Sequence, residues 1–485
     1  MAGAEPPAHA RRIIVEIHRA LRRIKASPAR PWHTGAMIDQ RLTPLLDRTL
    51  PRYTSYPTAP HFLPDVGHEA YAAWLDEAAD KGPVSLYLHV PFCRSICHYC
   101  GCTTKASRRD EPLARYAEVL RREIALVADH LGAVEVSHIH WGGGTPNLLP
   151  AETFAAVVGD LHRYFRIAPG AEHAIELDPR HVTRDGARHL AGLGVNRASL
   201  GVQDLDPQVQ AAIGRHQPLE VVEAAVSALV SARIDQINLD LMYGLPGQTE
   251  TSIRRTAMMA AGLAPSRMAL FGYAHVPWFK ANQKLIDEAA LPGPDERRRL
   301  ARIARTTIDA FGYDAIGIDH FARPDDSLAI AAMDGTMRRN FQGYTTDRAS
   351  SLVGFGLSSI GRLPRGFAQT TTDMKTYEDA VSAHRFPIVK GRALTAEDRL
   401  RADVIEQILC FFSADLPRIA ASHGMPASHF DGALEALAPL VEIGAVAISG
   451  RLVTIVEDKV ELGRLVASAF DAYLGSGGKR HAAAT

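Results

Sequence analysis

A chain of 485 residues with 54 basic and 54 acidic side chains has no charge imbalance to favour nucleic acid or an anionic membrane as its main partner. Its composition, 46% hydrophobic and 22% charged, is that of a globular protein of roughly two to four domains at about 150 residues each. No apolar run approaches the ~20 residues that a membrane-spanning helix needs.

Residues 1–36 form a basic extension containing RRIIVEIHRALRRIKASPARPW. Its apolar stretch is too interrupted for a secretory signal, and Glu5 and Glu16 argue against a transit peptide. With Met37 available as a second start, the extension is expected to be dispensable. Residues 37–83 contain PRYTSYPTAPHF (51–62), whose prolines suit an extended arm better than a helix interior.

From residue 84 the chain alternates β-like and helix-like segments. The predicted strands are VSLYLHV (84–90), VSHIHW (136–141), AIELD (174–178), RASLGVQ (197–203), QINLDLMYG (236–244), MALFGYAHV (268–276) and DAIGIDHF (314–321). Amphipathic patterns such as ARYAEVLRREIALVADHLG and AETFAAVVGDLHRYF lie between them. Repeated β-then-α units imply a parallel sheet.

Side chains alternate between the two faces of a strand. One face carries Tyr87 and His89, His138 and His140, Glu176 and Asp178, Ser199 and Gln203, Asn238 and Asp240, and Asp319. The other is apolar. A closed eight-stranded barrel fills its lumen with apolar side chains, and an open sheet covered on both faces is apolar on both. A polar inner face with helices outside therefore predicts an incomplete, splayed barrel with a ligand in its lumen. Residues 322–372 lose the regular alternation and are expected to close one side of the barrel, completing a catalytic unit over 84–372. Residues 373–475 read as a small, mainly helical C-terminal domain with a β-hairpin, and 476–485 as a disordered tail.

Four of the five cysteines fall within CRSICHYCGC (93–102). This spacing does not resemble a secreted disulfide framework and points to a reduced, cytoplasmic protein. Cys410, in ILCFF, reads as a buried structural thiol. Clustered thiolates bind soft metals. A zinc site commonly takes two short cysteine pairs separated by a longer loop, and no second pair follows here, although a zinc knuckle remains the alternative. An iron–sulfur cluster can take successive thiolates of one loop at different corners. Cys93, Cys97 and Cys100 satisfy C-x3-C-x2-C, so three ligands on a four-iron cube would leave one iron free. The loop follows the first strand, at the end of the barrel where active sites form.

With Tyr99 just before the third cysteine, this motif resembles that of the radical S-adenosylmethionine (SAM) enzymes. The resemblance implies a partial (β/α)6 TIM-like barrel, a [4Fe–4S] cluster and a SAM-derived 5′-deoxyadenosyl radical. The loop HIHWGGGTP supports it, glycines allowing close backbone approach to a ligand. The words PRYTSYPTAPHF, HWGGGTP, IELDPR, GVQD, DLMYGLPGQT, YAHVP, DHFARPDD and RNFQGYTT extend the likeness from about residue 45 to 475. Together they resemble the oxygen-independent coproporphyrinogen III oxidases.

That family converts two propionates of coproporphyrinogen III to vinyl groups, giving protoporphyrinogen IX. It implies Cys93, Cys97 and Cys100 as metal ligands, with Tyr87 and Glu176 beside them at the reaction centre. Tyr87, Tyr99, Gly143, Gly144, Thr145, Glu176, Gln203, Arg215, Asp240, Ala274 and Ile360 match SAM contacts, and two SAM molecules are expected. Cys102 matches a fourth, non-ligating cysteine. Glu176, Gln203 and Asp240 suit ribose hydroxyls, and the fork of Arg215 suits a ligand carboxylate. Arg338, Arg339 and Gln342 are candidates for substrate carboxylates. The arm is expected to cover the active-site mouth and exclude water. A flavodoxin or ferredoxin as electron donor and a monomeric state complete the expectation. The alternative of another class is a haem-binding chaperone on the same barrel; such paralogues generally lack the arm and the cysteine matching Cys102.

Overall fold

The computed structural model describes Leu45 and residues 49–475; the basic extension 1–36 and the tail 476–485 lie outside the described residues. Strands β1 (Val84–Val90), β2 (Glu135–Gly143), β3 (Arg166–Leu177), β4 (Arg197–Gln203), β5 (Gln236–Tyr243) and β6 (Arg267–Gly272) lie side by side in chain order. Every neighbouring pair is parallel. Sequential parallel strands joined by helices keep all the helices on one side.

Helix α1 (His68–Ala79) precedes β1, and α2 (Glu111–Leu131), α3 (Ala151–Tyr164), α4 (Arg184–Gly192), α5 (Leu219–Ser231) and α6 (Glu250–Gly262) connect the strands. Helix α7 (Pro294–Ala310) follows β6. Local sequence explains the longest of them. In α2 a proline sits in the first turn, Leu113, Tyr116, Leu120, Ile124 and Val127 bury one face, and Gly132 ends the helix at φ 61°.

The alternation expected from sequence is seen in β5. Ile237, Leu239 and Leu241 are at most 2% exposed, whereas Asn238 and Asp240 face a partly open lumen. The lumen groups also satisfy one another. Asn238 Nδ2 donates to Ser199 Oγ and to Asp240 Oδ1, each at 2.8 Å, and Ser199 Oγ donates to Asp240 Oδ2 at 2.9 Å.

Six further strands flank this core: β7 (Asp314–Ile316), β8 (His320–Ala322), β9 (Ser351–Phe355), β10 (Ile360–Leu363), β11 (Gly366–Thr370) and β12 (Ile388–Ala393). The 12-stranded sheet runs β12-β11-β10-β9-β1-β2-β3-β4-β5-β6-β8-β7. Its two edges, β12 and β7, do not pair, so the barrel stays open.

Several sequence expectations shift. The strand expected over 268–276 ends at Gly272, and 273–276 turns into a loop. DAIGIDHF is two short antiparallel strands, β7 and β8, joined through Gly317 at φ 55°, where a Cβ would strike the Tyr344 ring. Residues 322–372 contain three strands of the main sheet, β9 to β11, and a separate two-stranded hairpin, Arg338–Asn340 with Gly343–Thr345. Alternation missed β9 because SLVGF is buried on both faces and Gly354 lets the Ile360 backbone approach closely. The change of core does not fall at 372. Tyr377, Val381 and Phe386 pack with the barrel, and β12 extends its sheet. Helix α1, inside the segment read as an arm, also packs there through Tyr71, Leu75 and Ala78.

A second core begins at Leu400 in α8 (Ala396–Phe411), which starts with a Thr395–Asp398 capping box. The hairpin Val446–Ser449 and Leu452–Ile455 forms, with Ser413–Asp415 as a third strand. Leu50, Tyr53 and Tyr56 of the arm are buried in this second core. Tyr53 donates to Asp471 Oδ2 at 3.0 Å, and Arg52 Nη2 donates to Gly272 O, at the end of β6, at 3.0 Å. The arm thus lies between the C-terminal core and the carboxyl ends of the barrel strands. Cys410 is 4% exposed, as expected of a structural thiol.

Candidate active site

The cysteine loop leaves β1 through Phe92–Cys93, which pairs with Lys105–Ala106. Its seat is the end of β2. Gly144 N donates to Val90 O at 2.8 Å and Thr145 N to Phe92 O at 2.7 Å. A Cβ on Gly144 would fall onto the Phe92 carbonyl and 2.7 Å from the Phe92 nitrogen. On Gly143, at φ 106°, it would lie 2.6 Å from the His89 ring. The GGG motif therefore first serves close packing of strand end against cysteine loop.

The three thiols meet different partners. Cys93 Sγ lies 3.5 Å from Thr145 Oγ1, and burial pushes its pKa up to about 11. Cys97 is 6% exposed and accepts from Arg215 Nη1 at 3.4 Å. Cys100 and the neighbouring Cys102 shift each other's ionisation, the pKa of Cys100 falling and that of Cys102 rising. Cys102, left without a role by the sequence, thus sits beside the third sulfur. Among the described residues no three His, Cys, Asp or Glu side chains converge as for a single metal ion. A four-iron cube takes its thiolates at separate corners and needs no such convergence. Three sulfurs on one held loop, beside a buried cation, fit that group.

The loop is held from the far side of the barrel mouth by residues after β6. In the turn Ala281–Leu285, Asn282 Nδ2 donates to the carbonyls of Cys97, His98 and Cys100 at 3.0, 3.1 and 3.0 Å. Gln283 Nε2 donates to Tyr99 O at 2.8 Å, while its Oε1 accepts from Val276 N at 2.6 Å. Lys280 Nζ donates to Cys102 O at 3.0 Å. Sequence reasoning missed this clamp. Its one available signal was that these residues follow a barrel strand, on the end where sites assemble.

Arg215 is 6% exposed. Besides Cys97, its Nη1 donates to Asp178 Oδ2 at 3.2 Å and its Nη2 to Gly201 O at 2.7 Å. Both ends of the fork expected to meet a ligand are thus engaged by protein, and the buried Nε has no hydrogen-bond partner. Burial opposes the charge, but Tyr99, Asp178 and Cys97 together raise its pKa. Gln203, at φ 68°, lies over Gly201 with its Nε2 beside the same arginine.

Glu176 accepts from Gly143 N at 3.1 Å, and its Oε1 lies 3.3 Å from His140 Nε2. Burial works against its ionisation, but His140 and the Gly143 N–H hold its carboxyl below the usual range. Asp240 is pushed up to about 6 by burial and then by the charge of Glu176. Tyr87 stacks near His140, ring centroids 5.9 Å apart, with its OH 3.1 Å from His89 Nδ1. Tyr99 packs among Val209, Ile213, Tyr273 and Ile286. Ala274 lies in the loop after β6, and Ile360 starts β10. The turn before Ile360 is tied to α2: Gly356 N donates to Glu123 Oε2 at 2.7 Å and Leu357 N to Tyr116 OH at 3.1 Å.

The structure thus gathers Tyr87, Gly143, Gly144, Thr145, Glu176, Gln203, Arg215 and Asp240 with the cysteines at one end of the sheet. It does not gather the substrate candidates equally. Arg338 is exposed and tied to Glu406 at 3.0 Å. Arg339 stacks on Tyr344, 4.5 Å from the ring centroid. Gln342 leaves its buried Nε2 without a hydrogen-bond partner.

The radical SAM superfamily profile matches residues 87–260. The chain is 48% identical to an oxygen-independent coproporphyrinogen III oxidase of Bradyrhizobium diazoefficiens over 440 residues, 90% of this chain and 98% of that protein. It is 37% identical to that of Escherichia coli over 425 residues, 87% and 93% of the two chains. The solved coproporphyrinogen III oxidase of Escherichia coli, described as a radical SAM enzyme, matches with a TM-score of 0.84 at 35% identity, covering 88% of this chain and 100% of that one. By open barrel, cysteine loop and a likeness that covers 90% of its length, the chain belongs to the oxygen-independent coproporphyrinogen III oxidases of the radical SAM superfamily.

Proposed function

We propose that the protein oxidatively decarboxylates two propionate side chains of coproporphyrinogen III to vinyl groups, giving protoporphyrinogen IX in haem biosynthesis without oxygen. The observation that carries this reading is the three-thiol loop, held by Asn282 and Gln283 at the mouth of a polar, open barrel, in a chain 48% identical to such an oxidase.

When bound, a [4Fe–4S] cluster and SAM supply a 5′-deoxyadenosyl radical able to take hydrogen from an unactivated carbon. Cys93, Cys97 and Cys100 hold the cluster, and Arg215 balances charge at Cys97. Glu176, Gln203 and Asp240 offer acceptors and donors along the lumen for ribose hydroxyls. Tyr87, Tyr99, Gly143, Gly144, Thr145, Ala274 and Ile360 shape the remaining nucleotide site, which holds two SAM molecules. The arm, buried through Leu50, Tyr53 and Tyr56, keeps water from the reacting carbon.

Each propionate would lose one hydrogen atom from its β-carbon to the radical so supplied, its carboxylate as CO2 and one electron to an external one-electron acceptor, leaving a vinyl group. The protein works as a cytoplasmic monomer with a flavodoxin or ferredoxin as electron donor. Among the described residues no helix is long and apolar enough to cross a membrane.

Anaerobically reconstituted protein, given dithionite, SAM and coproporphyrinogen III, is expected to yield protoporphyrinogen IX with two CO2 per macrocycle. Stable haem binding without vinyl product would refute the reading in favour of a chaperone.

A further inference from the structure

One part of the barrel mouth carries charge that the cluster site does not use. Arg52 comes from the arm, Arg297 from α7, Arg339 from the hairpin Arg338–Asn340/Gly343–Thr345, and Arg464 from the helix Gly463–Ser468 of the C-terminal core. Arg52 Nη2 donates to Gly272 O at 3.0 Å, and its own carbonyl lies 3.5 Å from Arg339 Nη2. Arg297 Nη1 donates to Tyr273 O at 2.7 Å, with its guanidinium 5.7 Å from the Tyr243 ring centroid. Gly244 and Gly272 make room for it, since a Cβ on either would come within 2.9 or 3.0 Å of its Nη atoms.

The Arg339 side chain is only 7% exposed, yet its Nε and Nη1 have no hydrogen-bond partner. The nearest acid is Asp319, 3.9 Å from Nη1, whose Oδ1 lies 2.7 Å from His320 Nδ1. Arg52 is open to solvent yet so surrounded by protein that desolvation, and then Arg464, lower its pKa. Arg297 is lowered by desolvation, with Arg464 also opposing its charge. The arginines therefore face one another where the arm and the C-terminal core meet the barrel mouth. Tyr344 and Asp319 favour the Arg339 charge against its burial, but buried donor nitrogens left without acceptors remain unfavourable, and Arg464 opposes the charges of Arg52 and Arg297. An anion would relieve both, and a planar guanidinium pairs best with a carboxylate or phosphate.

The arginines adjoin the reaction centre. Gly272 and Tyr273 immediately precede Ala274, and Tyr243 ends β5 three residues beyond Asp240. We propose that Arg52, Arg297, Arg339 and Arg464 form a carboxylate-binding recess that seats one propionate of the bound tetrapyrrole. This rests on the function proposed above, whose substrate carries propionates that react and propionates that are kept. Seating a kept carboxylate away from the nucleotide orients the macrocycle so that another propionate meets the lumen. Because Arg52 rides on the arm and Arg464 on the C-terminal core, the recess is complete only when both close on the barrel.

The test uses reconstituted full-length enzyme with Arg52→Gln, Arg464→Gln, the double variant and Arg52→Lys. KM for coproporphyrinogen III is expected to rise about tenfold per lost charge-assisted contact, with a smaller effect on kcat and recovery of most of the loss in Arg52→Lys. Arg52 and Arg464 are not deeply buried, so iron content and thermal unfolding should match the parent. An unchanged KM for coproporphyrinogen III in the double variant would overturn the proposal. So would a rise confined to the KM for SAM, which would assign the recess to the amino-acid carboxylate of a second SAM. If the parent enzyme forms no vinyl product, the proposed function itself fails and the tetrapyrrole seat falls with it. Activity of the parent with indifferent variants refutes the recess alone.

Discussion

Replacing Asn282 should loosen the cysteine loop without touching a thiol. Its Nδ2 stands within 3.0–3.1 Å of three carbonyl oxygens of that loop. An amide has two hydrogens, so at most two of these bonds are at full strength at once. At ~1 kcal/mol net for each, the side chain contributes about 2 kcal/mol to holding the loop ready, roughly 30-fold in an equilibrium constant. Asn282→Ala should therefore release iron to a chelator about 30-fold faster after anaerobic reconstitution, if release proceeds through the opened loop. Asn282→Asp should be worse, because it sets a carboxylate against three carbonyl oxygens where a donor stood. The ordering parent, Ala, Asp is the discriminating result, read by iron release and by the change in the reduced cluster's electron paramagnetic resonance signal on adding SAM. Asn282 lies in a short surface turn, so the thermal unfolding of the apo-protein should move little. Iron release within twofold of the parent in both variants, or an Asp variant that outperforms Ala, would refute the clamp.

Cys93→Ser, Cys97→Ser and Cys100→Ser should each lose the cluster and SAM cleavage, since a neutral hydroxyl is a poor replacement for a soft thiolate; full iron in any of them would contradict the ligand set. Cys102→Ser should keep the cluster, because Cys102 lies outside the three-thiol ligand set Cys93, Cys97 and Cys100. Gly144→Ala should cost ~1–3 kcal/mol in denaturant unfolding or displace the cysteine loop, since its new methyl meets the Phe92 backbone; parent-like stability and iron content would disprove that packing. Glu123, buried and accepting from Tyr377 OH at 2.6 Å, has its pKa pushed by burial from 4.5 up to about 7. It binds its proton more tightly when folded, so its stabilisation is complete below pH ~4.5 and is lost as pH rises through ~7. Apo Glu123→Gln should lack this slope, worth on the order of 3 kcal/mol across the window, and equal pH dependence of unfolding in parent and variant would refute the assignment.

Local sequence was most informative where the physics is local. The polar face of β5 could be read from Asn238 and Asp240 because a strand's side chains alternate strictly. The cysteine loop and HWGGGTP could be placed at one end of the sheet because each follows a parallel strand in the same sense. DAIGIDHF shows the limit: its pattern is that of one strand, and only the clash awaiting any side chain at Gly317 reveals the turn. SLVGF shows another, since a strand covered on both faces has no alternation to read.

The sequence by itself determined the repeating β–α units, their polar inner face and the three-thiol loop, because strand period, helix period and motif spacing are properties of consecutive residues. Tertiary structure alone decided what holds and surrounds that loop. Asn282 meets Cys97 across 185 positions, Arg215 meets the same residue across 118, and Arg52 meets Gly272 across 220. No local pattern encodes such pairs. They arise when an open barrel brings the carboxyl ends of its strands to one rim and the arm and C-terminal core close over it.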